Sequence, residues 1–151
     1  MGVFVGIDVS LENCAVCAVD EHGKLVKETK VASDPGALDA CIRGIPGVVE
    51  AIGIEAGPLS QWLHKSLTDL GLPVVLMETR QVKAALKAAP VKTDRRDAAG
   101  LARLLQMGWF RPVHCKSLSA QELRVLLGAR RSVQDAAINI EMSIRGMLRN
   151  F

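Results

Sequence analysis

Four carboxylates stand out for the company they keep. Asp8 lies within the apolar run VFVGIDV, where an ionised side chain is costly unless a cation or hydrogen-bond donors meet it. Glu55 follows the apolar run AIGI, which places it at the C-terminal end of a strand, the edge where open α/β sheets hold ligands. Asp94 and Asp97 are three residues apart in TDRRDAAGLA. On a helix they share a face, and a helix N-terminus favours their ionised form. Brought together, the four would offer hard oxygen ligands of the kind Mg2+ (or Mn2+) takes. Two such ions, roughly 3.5–4 Å apart, activate a water or hydroxyl and stabilise the leaving oxygen in phosphodiester chemistry. Without an ion, like charges so close would raise one another's pKa. Plainer roles stand beside this one: Asp94 as a helix-start residue, Glu55 as the acceptor of a backbone amide.

The flanks of the acids are basic. Lys92, Arg95 and Arg96 surround the helix aspartates, and Arg80, Lys83 and Lys87 precede them. Such groups hold phosphate backbones. The basicity is regional: residues 1–79 carry 5 Lys/Arg against 11 Asp/Glu, and residues 80–131 carry 12 against 3. A basic segment behind an acidic one predicts a polyanion partner; a solvated helix face is the simpler alternative.

The elements that must position these residues can be read from periodicity. Residues 3–9, 13–19 and 25–31 read as three strands, with Gly23 in the turn DEHGK, and so as an antiparallel meander. Ser33-Asp34-Pro35 opens a helix that ends near Arg43. Residues 48–54 read as a buried strand, 59–70 as a helix closed by Gly71, and 74–77 as a short strand. Strand, helix, strand in this order implies a parallel crossover. A basic helix follows over 79–88, a linker at Ala89-Pro90-Val91, and a helix over 93–107 with Thr93 near its N-cap. Residues 109–117 read as irregular. The sum is an α/β fold with a mixed sheet flanked by helices.

The last segment is of another kind. Positions 123, 126, 130, 133, 137, 140, 144, 147 and 151 hold Leu, Leu, Arg, Val, Ala, Ile, Ile, Met and Phe. Spacings of three and four make a heptad seam with one polar interruption. A division into 1–117 and a coiled-coil helix at 118–151 follows; the seam calls for a partner, a second copy of the chain or a further part of the protein, with folding back on its own domain as the plainer alternative.

With 151 residues, 49% hydrophobic and 23% charged, the chain has ordinary globular composition. No apolar run reaches the roughly 18 residues of a membrane span. The N-terminus, MGVFVGIDVS, lacks a basic n-region and does not read as a signal peptide. Four cysteines without a secretory signal point to reduced thiols in a cytoplasm. Aromatics at 3%, with no tyrosine, argue against nucleic-acid modules that stack bases on an aromatic sheet. Cys14 and Cys17 form C-x-x-C, but three apart on a strand they point to opposite faces, and no second pair at zinc spacing follows. His64, His114 and Cys115 have no evident partners, and no P-loop or nucleophile elbow is present.

GIDVS at 6–10, the meander, GIEAG at 53–57 and KTDRRDAAGLA at 92–102 together resemble the DEDD transposases of bacterial insertion sequences. K-T-D-x-x-D-A, from Lys92 to Ala98, is the most specific piece. The resemblance covers nearly the whole chain and implies a RuvC-like, ribonuclease-H-like domain. By it, Asp8, Glu55, Asp94 and Asp97 are metal-binding catalytic acids, and the long helix is a coiled-coil dimer contact, with dimer or tetramer left open for the full-length complex. It further implies DNA strand exchange, a guide non-coding RNA and a C-terminal domain bearing a serine that attacks DNA. That domain is not represented up to Phe151, so the expectation is a fragment without complete strand-transfer activity. Ser10 and Ser60 lie near the acids in sequence, with nothing to promote either to nucleophile.

Two other functions fit parts of the pattern. One is a non-catalytic module that binds nucleic acid and dimerises. The other is half of an actin-like sugar kinase, because an aspartate and hairpin like GIDVS…VDEHGKLV occur there too. The latter needs a glycine-rich phosphate turn where this chain has SLEN, and it leaves KTDRRD without a role.

Overall fold

The structure, a computed structural model, describes residues 1–87 and 93–149. The expected linker at 89–91, the expected phosphate contact Lys92 and the heptad position Phe151 lie outside the described residues. Two compact units are present, Met1–Cys115 and Lys116–Phe151.

The first unit is built on one mixed sheet. Its strands are β1 (Gly2–Asp8), β2 (Asn13–Asp20), β3 (Leu25–Ala32), β4 (Val48–Glu55) and β5 (Val74–Met77), in the order β3-β2-β1-β4-β5. β1, β2 and β3 pair antiparallel; β4 joins β1, and β5 joins β4, in parallel. The β2–β3 turn is set by Gly23 at φ +75°, a left-handed conformation that costs glycine little. The Asp20 side chain accepts from the backbone N–H groups of His22 and Lys24, each at 2.9 Å. These bonds hold its carboxyl below the usual carboxylate range.

Alternation along β1 divides the core into two layers. Val3, Val5 and Ile7 face one side, where Ile52 and Ile54 of β4 join them against Leu38 and Ile42 of α1 (Pro35–Arg43) and Leu63 and Leu67 of α2 (Ser60–Asp69). Phe4, Gly6 and Asp8 take the other side. That side is covered by α4 (Asp94–Gln106), whose Ala98 and Ala102 pack on Ala15, Cys17 and Val19. α3 (Thr79–Leu86) completes the layer, with Val82 beside Met77, Leu101, Leu104 and Leu105.

The helices begin where cap chemistry predicts. Asp34 accepts from the Ala37 N–H at 2.8 Å ahead of Pro35, and Thr93 accepts from the Arg96 N–H at 3.3 Å. Capping of this kind supplies one of the helix's orphan N–H groups with an acceptor. The expected irregular stretch has more order than its sequence suggests. Glu78 N–H donates to Arg111 O at 3.0 Å and Val113 N–H donates to Leu76 O at 2.8 Å. Residues 111–113 thus occupy part of the hydrogen-bonding edge that β5 leaves open.

The second unit is the single helix α5 (Leu118–Leu148), opened by Ser117, whose hydroxyl accepts from the Ala120 N–H at 3.3 Å. Its seam residues Leu123, Leu126, Val133, Ile140, Ile144 and Met147 are all exposed. Among the described residues, no helix is long and apolar enough to cross a membrane.

Candidate functional site

Strand register decides where the acids go. In the parallel β1–β4 pair, Gly6 lies against Gly53 and Ile7 against Ile54. One residue further, Asp8 and Glu55 end their strands on the α4 side of the sheet. Both are half-buried. They line one open cleft of about 560 Å3 together with Ala56, Ser60, Thr79 and Lys83. Among the described residues, Lys83 is the cation lining this cleft.

The helix aspartates stand at the same end of the sheet, on a helix that packs chiefly on β1 and β2. Asp8 pairs with Ala15 on β2, and Ala15 with Lys30 on β3. Lys30 Nζ lies 3.5 Å from Asp94 Oδ2. Lys30 thus reaches from β3 to the first residue of α4. Asp94 lines a second, adjoining cleft with Ser10, Asn13 and Lys30. The next residue repeats the pattern: Arg95 is ion-paired with Glu28 of β3, whose side chain is 17% exposed. That carboxylate holds the Arg95 guanidinium above its usual range. Asp97 is half-buried in the first turn of α4, and its N–H donates to Thr93 O at 2.9 Å.

The structure thus joins Asp8 with Glu55, and it sets Asp94 and Asp97 on the overlying helix at the same sheet end. Among the described residues, no three His, Cys, Asp or Glu side chains form a group able to hold a metal ion. The Asp8–Glu55 pair does suit a divalent cation that keeps several waters: two hard carboxylates share a face, in a cleft with room for a hydrated ion.

The expected phosphate contacts separate by position. Arg80, Lys83 and Lys87 are exposed in and just beyond α3, and Arg96 is exposed in the first turn of α4. Of these, Lys83 enters the carboxylate cleft. Two residues at the site escaped the sequence reading. Thr79 donates its hydroxyl to Ala56 O at 2.6 Å, tying α3 to the chain just after Glu55. Lys30 was legible only through the β2–β3 register, which the turn at Gly23 could have supplied. Ser60 is buried at 2% exposure, its hydroxyl accepting from Gly57 N–H at 2.7 Å and donating to Gly57 O at 2.8 Å. It serves the turn into α2.

The C-x-x-C residues divide as expected. Cys14 joins the α1–α2 core and Cys17 the α4 core. All four cysteines are free thiols.

A mixed sheet in this order, with helices on both faces, defines a RuvC-like member of the ribonuclease-H-like folds. The chain superposes on Thermus thermophilus RuvC with a TM-score of 0.50 at 20% identity, over 75% of this chain and 100% of that one, in a structure with Holliday junction substrate. A second Thermus thermophilus RuvC structure gives the same score and identity over 74% and 99% of the two chains.

Residues 5–151 match the family model DEDD_Tnp_IS110, described as Transposase, and the chain belongs to that family. It is 26% identical over 153 residues to the transposase for insertion sequence element IS1111A of Coxiella burnetii, covering 97% of this chain and 39% of the relative. It is 31% identical over 133 residues to the y4qE protein of Sinorhizobium fredii, covering 85% of this chain and 34% of that protein. The chain therefore spans well under half the length of these relatives.

Proposed function

We propose that the Asp8–Glu55 cleft is a divalent-metal site for phosphodiester chemistry on DNA, serving the strand exchange by which a transposase moves an insertion sequence. The observation that carries this reading is the register that brings Asp8 and Glu55 side by side at one sheet edge, in a family member with a RuvC-like fold. Mg2+ or Mn2+ would be held by these two carboxylates, with Asp94 and Asp97 completing the set from α4. When bound, such an ion supplies Lewis-acid stabilisation of the charge that develops on a phosphodiester.

The chain's own groups do the rest. Asp8 and Glu55 confine negative charge to one point of the surface. Arg80, Lys83, Lys87, Arg96 and, outside the described residues, Lys92 hold the phosphate backbone, and Arg95 joins them on leaving Glu28. Phosphate contacts of this kind position a duplex without reading its sequence.

In domain terms, residues 1–117 are the catalytic part and 118–151 the start of a dimerisation helix, pairing with a second copy and, in the larger assembly, within a tetramer. The complete strand exchange, the guide non-coding RNA and the attacking serine belong to this proposal at the level of the whole recombinase, acting in the cytoplasm.

The test is cleavage of a branched DNA by wild-type protein with Mg2+ or Mn2+, set against Asp8→Asn. Metal-dependent nicking lost in Asp8→Asn supports the reading. DNA binding and self-association that persist with no metal response in either protein would instead favour a non-catalytic module.

A further inference from the structure

The cations of α3 are not equivalent, and the difference follows from how the helix is fixed. Val82 is buried in the layer beneath α4, which sets the rotation of α3 about its axis. The Thr79 hydroxyl donates to Ala56 O at 2.6 Å, which sets the position of its first turn against the residue after Glu55. Residues four apart share a helix face, so fixing Thr79 also places Lys83 in the cleft that Asp8 and Glu55 line. Arg80 projects from a different face, and Lys87 lies one turn further out.

We propose that Lys83 holds a non-bridging oxygen of the phosphodiester seated at Asp8 and Glu55, and that Thr79 is the positioning residue that keeps its ammonium in register with Glu55. The inference rests on the metal-site reading above and adds a division of labour to it. A lysine ammonium is a compact point charge with three donors, suited to a single phosphate oxygen between two carboxylates. Its charge also offsets theirs, so a polyanion can approach the acids at all. Arg80 and Lys87 then contribute general attraction to the duplex, which is uniform along the backbone and falls with salt.

The experiment measures affinity of the full chain for a short DNA duplex, in EDTA and in Mn2+, for wild type, Asp8→Asn, Lys83→Met, Lys83→Arg, Lys87→Met, Thr79→Val and Thr79→Ser. An ion shared by the acids and a phosphate makes Mn2+ tighten wild-type binding, and Asp8→Asn removes that gain. Lys83→Met is expected to lose about tenfold in Mn2+, the scale of one charge-assisted hydrogen bond, and to lose most of the Mn2+ gain. Lys83→Arg restores part of it. Lys87→Met weakens binding by the same factor with and without the ion. Thr79→Val lowers the Mn2+ gain and Thr79→Ser keeps it. Equal behaviour of Lys83→Met and Lys87→Met, with the gain still lost in Asp8→Asn, overturns the role of Lys83 alone. Absence of any Mn2+ gain in wild type, or a gain that survives Asp8→Asn, overturns the metal site and this inference with it. Lys83 is exposed, so its variants fold; thermal melts that match wild type verify this.

Discussion

Gly6 of β1 and Ala98 of α4 are in such close approach that a β-carbon on Gly6 would stand 2.1 Å from the Ala98 carbonyl oxygen. The same atom would lie 2.5 Å from Ala102 N. The helix lies almost on the strand, and this contact sets how far the first turn of α4 stands from the end of β1. Gly6→Ala must push a helix backbone away, since no flexible side chain can yield. The expected cost is about 3 kcal/mol or more, read as a lowered denaturation midpoint with the slope unchanged. A variant as stable as wild type would mean that α4 stands further from β1.

Burial of Cys17 makes a prediction about alkali. Burial, chiefly, pushes its thiol up to about 11 from 9.0, with the nearby Glu28 carboxylate adding to the rise and the Arg103 and Arg95 guanidiniums opposing it. Above pH 9 the unfolded thiol ionises while the folded one keeps its proton. The unfolded state then binds fewer protons, so stability falls as pH rises. The contribution is present in full below about pH 9 and is lost by about pH 11. Cys17→Ala removes it, so wild type should lose more stability than the variant across that window in urea titrations. Parallel curves would contradict the placement of Cys17. At neutral pH the same burial should leave Cys17 unreactive toward a thiol reagent in native protein.

Lys30 governs Asp94. The pair is exposed on both sides, 65% for each side chain, and surface pairs of this kind are worth about 0–1 kcal/mol. A divalent ion can therefore win Asp94 from Lys30. Lys30→Met removes the competitor and should tighten Mn2+ binding by about two- to fivefold, the range that energy allows. Titration followed by the electron-spin signal of free Mn2+ reads this directly. Weaker binding in Lys30→Met would mean that the lysine supports the site.

The seam of α5 predicts self-association. Ile140 is 62% exposed and Ile144 47% exposed, on a stripe whose heptad spacing fits a second helix. Ile140→Glu should shift the full chain toward monomer in sedimentation at concentrations where wild type associates. Arg130→Leu, which fills the polar interruption, should strengthen association. An unchanged mass distribution in Ile140→Glu would contradict the seam.

Element order, the meander, the parallel crossover and the long helix were all legible in the sequence, because alternation in the strands and three-four spacing in the helices are strong there. Asp34-Pro35 and Gly71 marked helix ends for local reasons that survive folding. Glu55 was legible at its strand end, since it follows an apolar run, whereas the placing of Asp8 beside it comes from the β1–β4 register. What could not be read was lateral placement. Spacing puts Asp94 and Asp97 on one helix face, but it says nothing of which strands that helix crosses, nor that Lys30 of β3 reaches Asp94. Thr79 was missed because a single side-chain bond to Ala56 leaves no periodic trace. Order at 111–113 was missed because that segment pairs along β5 without strand alternation.

If Asp8 and Glu55 form one metal site, an ion needs both carboxylates. The most direct measurement is calorimetric titration of the chain with Mn2+, for wild type, Asp8→Asn and Glu55→Gln, at neutral and at distinctly acidic pH. Binding is expected in wild type, lost in both variants and weakened on acidification, as protons compete for the carboxylate oxygens. Binding of equal strength in wild type and both variants would contradict a shared site.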